Sequence, residues 1–266
     1  METQVVRDIY DTLFEVESNI KSTTYPIHKR LDFGTESAVK DVYEWLFENI
    51  EFPPNGKILD VGCGVGFGSF FLAHKTDCQV KGISLSEKEV KLANEVSKKK
   101  GLQEQVVFKM QSFDEPLSAQ YDVMIAVESI KHSLNLENSL KNLLSGLKVG
   151  GKLIIVEDFY ESEKISTYAK ILAEDWSLVK VFSKKDYTKV ADKGFALKNH
   201  NLTPYTLKKN GFQLYFRYFI LNFLTTIGQF FKKGNFWKIM RGGLAMEILY
   251  RRKELTYEVL EIKKTV

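Results

Sequence analysis

The chain has 266 residues, with 38 Lys and Arg against 34 Asp and Glu, a formal net charge of +4 and 27% charged positions. Its 44% hydrophobic content, 13% aromatic content, 17 Gly and 5 Pro exclude a disordered, collagen-like or low-complexity chain and supply enough apolar material for one large core. Two cysteines, Cys63 and Cys78, are too few for a disulfide framework, and neither sits in a Cys/His cluster of zinc-binding spacing, so no metal site is expected.

The first ten residues carry Glu2, Arg7 and Asp8 with no apolar run behind a basic start, which reads as neither a secretory signal nor a transit peptide and makes cytoplasmic residence the expectation. Helical patterns at about 2–20 and 36–50 are separated by residues 23–28 and the turn signal Asp32-Phe33-Gly34, so residues 1–50 read as a helical flap. Pro53-Pro54-Asn55-Gly56 breaks that pattern. Strand candidates at 57–61, 79–84, 105–110, 121–127 and 151–157 then alternate with helical patterns at 67–75, 87–100 and 137–147, the mark of βαβ units in a doubly wound parallel α/β sheet. Further on come helical stretches at about 163–175 and 184–192, a strand candidate at 195–201, an aromatic helix at 212–231, a helix near 236–250 and a final strand at 255–262. With no linker or repeat, residues 1–266 read as one domain: flap, ligand-binding core at 55–160, lid at 161–250 and closing strand at 251–266.

Residues 212–231 are long enough to resemble a membrane span, but Gln213, Arg217, Asn222 and Gln229 interrupt them. As a helix, the segment gathers Phe212, Tyr215, Phe216, Phe219, Ile220, Phe223, Leu224, Ile227, Phe230 and Phe231 on one face, which is expected to pack against protein. Lys232 and Lys233 follow, so membrane-surface contact stays open as the less favoured alternative.

The strongest local signal is Asp60-Val61-Gly62-Cys63-Gly64-Val65-Gly66, between a buried strand and a helix start. Glycines there permit a tight turn and close approach to a ligand, while the next helix offers free N–H groups. The spacing is G-x-G-x-G, not the G-x-G-x-x-G of a dinucleotide fingerprint, which speaks against a nicotinamide oxidoreductase. Asp60 at the strand end would repel a pyrophosphate and suits a cationic or amino-bearing ligand.

The run from Ile58 to Gly66 resembles motif I of class I S-adenosylmethionine-dependent methyltransferases. The likeness extends to Lys81-Gly82-Ile83-Ser84-Leu85-Ser86, to Tyr121-Asp122-Val123-Met124-Ile125-Ala126, and to the turn at 147–153, covering about residues 55–160. It implies S-adenosylmethionine as cofactor and a Rossmann-like seven-stranded sheet whose last strand is antiparallel. It implies cofactor contacts from Asp60, Gly62, Cys63, Gly64 and Gly66, and places Ser84, Leu85, Ser112 and Phe113 near the ribose and adenine. Two departures stand out: Ser84 and Ser112 occupy positions where the family often carries acids, and Phe113 is either an adenine face or a core aromatic. The wording Gly-Ile-Ser-Leu-Ser is similar to the subgroup of cyclopropane fatty-acid synthases, sterol and terpenoid C-methyltransferases.

Reactive candidates follow the fourth and fifth strands, at the carboxyl edge where open α/β sheets bind ligands. Glu128-Ser129-Ile130-Lys131-His132 and Glu157-Asp158-Phe159-Tyr160 resemble natural-product and sterol-type methyltransferases, with His132 as a possible base, Asp158 orienting it, and Glu128 facing a cation or the acceptor. No Asn/Asp-Pro-Pro-Tyr, G-x-x-x-x-G-K-[ST] or H-E-x-x-H is present, and the basic residues are interspersed with acids, so no nucleic-acid partner is expected. The aromatic flap and lid, including Tyr25, Phe159, Tyr160 and Phe216, point to a small, largely apolar acceptor methylated on oxygen or carbon. Methylation of an alkene in a terpenoid, isoprenoid diphosphate or lipid is the alternative, with Lys29, Arg30 or Arg217 for an anionic head, and a noncatalytic cofactor-binding protein is the rival outside catalysis. Oligomeric state is left open.

Overall fold

The computed structural model describes residues 31–32, 39–40, 42–191, 194–206, 211–228 and 234–266. The expected helix at 2–20, Tyr25, Lys29, Arg30, Phe230 and Phe231 lie outside the described residues. A two-residue antiparallel pair, β1 (Leu31–Asp32) with β2 (Val39–Lys40), precedes α1 (Val42–Asn49).

The chain then builds β3 (Lys57–Val61), α2 (Phe67–Lys75), β4 (Gln79–Ser84), α3 (Glu87–Lys99), β5 (Val106–Met110), β6 (Tyr121–Val127), a 3₁₀ turn (Ile130–His132), α4 (Leu136–Ser145) and β7 (Leu147–Tyr160). It continues with α5 (Thr167–Asp175), α6 (Lys184–Thr188), β8 (Phe195–Asn201), α7 (Gly211–Gly228), α8 (Gly234–Arg251) and β9 (Leu255–Lys264). Seven strands form one sheet in the order β5-β4-β3-β6-β7-β9-β8. Strands β3 to β7 pair in parallel, while β9 runs antiparallel to both β7 and β8, pairing Ile155 with Leu260 and Leu197 with Ile262.

Strands buried on two faces need apolar residues of both parities, and the sequence supplies them. Ile58, Val80, Val123, Ile125, Ile154 and Val156 face one core with Val42, Leu46 and Leu72 from α1 and α2. Their neighbours Leu59, Val61, Met124, Ala126, Leu153 and Ile155 face a second core with Leu140 and Leu143 of α4. Strand β7 starts at Leu147, four residues before the expected 151, because Leu147 pairs with Tyr121 before a register shift brings Lys152 opposite Val123; Gly150, at φ +83°, lies in that irregularity. The helix expected from 163 starts at Thr167, where the Ser166 side chain caps Ala169 N–H at 3.3 Å.

The aromatic helix requires a correction. Among its described side chains Leu214 and Thr225 are buried, and Leu214, Tyr218 and Leu221 pack with Leu244 and Ile248 of α8. Tyr168 of α5 meets Tyr218 edge-on at 5.3 Å. Most of the stripe expected to face protein lies on the opposite side: Phe212 is 81%, Phe219 72% and Phe223 60% exposed, with Tyr215, Phe216 and Ile220 also exposed, while Leu224 is half-buried and the Ile227 side chain lies outside the described residues. Residues 214, 218, 221 and 225 also recur at helical spacing, so two stripes competed for the interior and the less aromatic one fits the glycine-bearing α8.

Candidate active site

The chain order reverses beside β3, whose neighbours are β4 and β6, and the crevice beyond the carboxyl ends of these strands collects the candidate residues. The loop after β3 turns through Gly62, Gly64 and Gly66 at φ +75°, +53° and +88°, a left-handed path that strains any residue with a Cβ. Gly62 and Cys63 both donate backbone N–H to the Ile83 carbonyl, at 2.9 and 3.0 Å, tying the loop to β4.

The three glycines face different surroundings. A Cβ on Gly62 would sit 2.4 Å from Cβ of Ser129, and one on Gly66 would sit 2.5 Å from the Phe108 ring. At Gly64 the nearest atom is Glu89 Oε1, at 4.0 Å, so this turn of backbone opens onto space bordered by a carboxylate. Glu89 is buried, and its Oε2 accepts a hydrogen bond from Ser84 Oγ at 2.6 Å. The acid missing at the end of β4 is thus supplied five residues later, from the first turn of α3. Sequence reading missed Glu89; the signal was Ser86-Glu87-Lys88-Glu89, the S-x-x-E pattern of a capped helix start, and Ser86 Oγ does accept from Glu89 N–H at 3.3 Å.

Asp60 is buried beneath the loop, accepting from Ser69 Oγ at 2.6 Å and from Tyr43 OH at 3.3 Å. Burial pushes the Cys63 thiol well above its ordinary value, and the Asp60 and Glu89 carboxylates push it further, so the pocket floor carries a negative field. Leu85 is half-buried beside Ser84. Ser112 Oγ accepts from Asp114 N–H at 3.0 Å and shapes the turn after β5. Phe113 packs in the second core with its carbonyl held by Asn142 Nδ2 at 2.6 Å, so of its two expected roles the structure shows the packing one.

The second half of the site follows β6 and β7. Glu128 holds φ +52°, an uncommon conformation for a residue with a side chain, and Tyr257 OH donates to its Oε1 at 2.9 Å. Ser129 Oγ donates to the Val61 carbonyl at 2.6 Å, locking the ends of β3 and β6 together. The buried Lys131 ammonium lies 2.9 Å from Asp158 Oδ2, 3.5 Å from Glu157 Oε2 and 3.9 Å from Glu128 Oε2, and 5.5 Å from the Trp176 ring centre. The other Asp158 oxygen accepts from Tyr250 OH.

Within this cluster an acid and the cation are both shifted upwards, for different reasons. Burial pushes Glu157 up to about 7 against the pull of Lys131, with Asp158 and Glu128 adding to the rise. Burial alone would lower Lys131, but Asp158, Glu157 and Glu128 outweigh it and hold the ammonium well above its usual value. His132 keeps part of its surface exposed while its Nδ1 is buried; burial, then the Lys131 charge, pushes its pKa down to about 3. That makes it a neutral, weakly basic imidazole, a correction to the assumption of an ordinary resting pKa. Asp158, expected to orient His132, is engaged by Lys131 and Tyr250. Lys131 and Tyr250 are the residues sequence reading left without a role.

Two substrate candidates are also corrected. Phe159 is fully buried in the second core, edge-on to Tyr187 at 5.1 Å. Tyr160 is buried with its OH donating to the Lys164 carbonyl at 2.8 Å and accepting from Ser166 N–H at 3.0 Å, which fixes the loop after β7. Phe216, a third, belongs to the exposed face of α7, and Arg217, a fourth substrate-side candidate, is exposed on the same helix. A small crevice does open beside Lys131 and Asp158, lined by Leu172, Trp176, Leu178, Lys180, Val181, Phe182 and Met246. Among the described residues no group of three or more His, Cys, Asp or Glu is arranged to hold a metal ion.

The sheet order, the left-handed glycine loop and the carboxylates at the strand ends define a class I methyltransferase-like architecture. A family model described as a methyltransferase domain matches residues 53–199, more than half of the chain, and the chain belongs to that family. It is 28% identical over 159 residues to methyltransferase GfsG of Streptomyces halstedii, covering 57% of each chain. It is 31% identical over 134 residues to norajmaline N-methyltransferase of Rauvolfia serpentina, covering 48% of this chain and 45% of that one. The matches span about half the length of these curated relatives. Among solved structures, the [4+2]-cyclase SpnF superposes with TM-score 0.75 at 18% identity over 100% of this chain and 97% of its own. Geranyl diphosphate C-methyltransferase of Streptomyces coelicolor superposes with TM-score 0.72 at 14% identity, over 99% and 98%. At these identities the likeness shows the fold.

Proposed function

We propose that this chain is an S-adenosylmethionine-dependent methyltransferase that methylates an oxygen or carbon of a small, largely apolar metabolite. The observation that carries the cofactor assignment is the opening at Gly64, bordered by the Glu89 carboxylate that Ser84 holds in place. A backbone loop, an acid beside it and a buried Asp60 beneath it fit a nucleoside bearing ribose hydroxyls and a cationic amino-acid end. Gly62, Cys63, Gly64 and Gly66 would take the amino-acid end, Glu89 and Ser84 the hydroxyls, and Leu85 and Ser112 the base side. When bound, the cofactor supplies an electrophilic sulfonium methyl group.

The chain's own residues then align, exclude water and manage protons. Glu128, Glu157 and Asp158 exceed the single positive charge of Lys131, so the edge of β6 and β7 favours cationic character nearby. Neutral His132 can accept a hydrogen bond from an acceptor hydroxyl, while Glu157, at about 7, is the group whose proton affinity is matched to exchange near neutral pH. The crevice beside Lys131 has apolar walls in Leu172, Trp176, Leu178, Val181, Phe182 and Met246 with Lys180 at its side, and its roughly 10 Å³ would have to widen to admit an apolar acceptor. The terpenoid substrate of the geranyl diphosphate C-methyltransferase keeps alkene methylation as a second reading, since Trp176 and the carboxylates together suit a carbocation.

Titration calorimetry of the purified chain with S-adenosylmethionine is expected to show one site, weakened by Glu89→Gln. No heat and no thermal shift at saturating cofactor would sink the assignment. Binding without turnover on apolar hydroxyl and alkene panels would favour the noncatalytic reading, and isotope-labelled methyl groups followed by NMR of any product separate oxygen from carbon.

A further inference from the structure

The most conspicuous feature outside the site is the outer face of α7. Phe212, Tyr215, Phe216, Phe219, Ile220 and Phe223 form a continuous exposed row along it, and Phe212 and Phe216 stack with near-parallel rings 6.4 Å apart. A row of this kind is far more apolar than solvated helix faces usually are. The opposite face of α7 is fully used against α8, so rotating the helix inward would expose Leu214 and break the Leu244–Ile248 packing.

Charge sets the occupant. Residues 203–253 contain ten basic residues, Lys208, Lys209, Arg217, Lys232, Lys233, Lys238, Arg241, Arg251, Arg252 and Lys253, against one acid, Glu247. Of the chain's 38 basic and 34 acidic residues, that leaves 28 basic against 33 acidic elsewhere, so the whole positive excess sits in this stretch of sequence and the remainder is acidic, although Lys208, Lys209, Lys232 and Lys233 lie outside the described residues. Arg241 and Arg252 are committed to Asp175 and Glu254, while Arg217, Lys238, Arg251 and Lys253 are exposed. No described helix is long and apolar enough to cross a membrane.

We propose that the aromatic face of α7 inserts at the surface of a bilayer carrying anionic lipids, with the basic residues of the α7–α8 region resting on the headgroups. The aromatic rings supply apolar area at the depth of the acyl boundary, and the cations supply the preference for negative surface charge, which salt screens. The α7–α8 hairpin also borders the crevice beside Lys131, through Met246 and through the Ile239 carbonyl that holds Trp176, so docking brings that crevice close to molecules dissolved in the bilayer.

The test is sedimentation of the full chain with phosphatidylcholine vesicles and with vesicles containing about one third phosphatidylglycerol. Wild type is expected to bind the anionic vesicles, to bind neutral ones weakly, and to dissociate as salt is raised. Phe219→Asp with Phe223→Asp is expected to lower the bound fraction about tenfold or more, and Arg217→Gln with Lys238→Gln to lower it several-fold. Unchanged circular dichroism and cofactor calorimetry would show that these variants are folded, independently of any methyl transfer. The proposal is overturned if wild type ignores both vesicle types, if neutral vesicles bind equally well, or if the folded Phe double variant binds like wild type. A soluble dimer that the Phe variant converts to monomer, with no vesicle binding, would assign the face to a second copy instead.

Discussion

The crevice at the strand ends and the outer face of α7 break opposite rules. At the crevice, charge is buried: Asp60, Glu89, Lys131, Glu157 and Asp158 all lie in the interior. On α7, apolar rings are left in water while a polar Thr225 is buried. A buried charge is tolerable where partners surround it, and Lys131 with its three carboxylates meets that condition. An exposed aromatic row has no such internal compensation and marks a surface awaiting contact. The two regions differ in what removal of a side chain should cost, and that contrast is open to direct attack.

Removing the cation should produce the largest effect. Lys131→Met leaves Glu128, Glu157 and Asp158 mutually repelling in the interior, and a loss of about 3 to 5 kcal/mol is expected in urea denaturation. Gly62→Ala comes next, because φ +75° and a Cβ 2.4 Å from Ser129 allow no easy relaxation; about 3 kcal/mol and loss of cofactor binding are expected in denaturation and calorimetry. Glu89→Gln should leave the fold intact yet reduce cofactor affinity about ten- to a hundredfold, by removing a charged hydrogen-bond acceptor beside Gly64.

A pH series sharpens the picture of the buried cluster. Glu157, raised from 4.5 to about 7, binds a proton more readily in the folded state, so its contribution to stability falls as pH rises from 4.5 through 7. His132, lowered from 6.5 to about 3, binds a proton more readily unfolded, so its contribution falls as pH drops from 6.5 towards 3. The slopes oppose each other between pH 4.5 and 6.5. Thermal melts of wild type should be nearly flat there, rising with pH in Glu157→Gln and falling with pH in His132→Phe. Parallel melts in all three proteins would remove both shifts. The smallest effect belongs to α7: Phe219→Ser should alter stability by less than about 0.5 kcal/mol, because the ring is already in solvent. A large loss would mean that the ring is covered in the folded chain, and the contrast between the two regions would disappear.

Much of the fold was legible because its signals are local. Alternating apolar runs and helical stretches located every strand of the sheet within a few residues, and Gly-x-Gly-x-Gly after a buried strand marked the turn that holds left-handed backbone at Gly62, Gly64 and Gly66. The family pattern around Asp60 implied seven strands and an antiparallel last strand, which the sheet shows. These follow from chain neighbours within a few residues, where periodicity and conformational preference act. The tertiary structure alone decided the rest: Tyr257 reaches Glu128 across 129 residues, Tyr250 reaches Asp158 across 92, and Glu89 turns towards Gly64 only once β3 and β4 pair. The proton affinities of His132 and Glu157 depend on the burial and the Lys131 charge that this assembly creates, since desolvation has no meaning along an extended chain. On α7, periodicity pointed to the aromatic stripe as the buried face, and the surface of α8 took the other stripe, through Leu214, Tyr218 and Leu221.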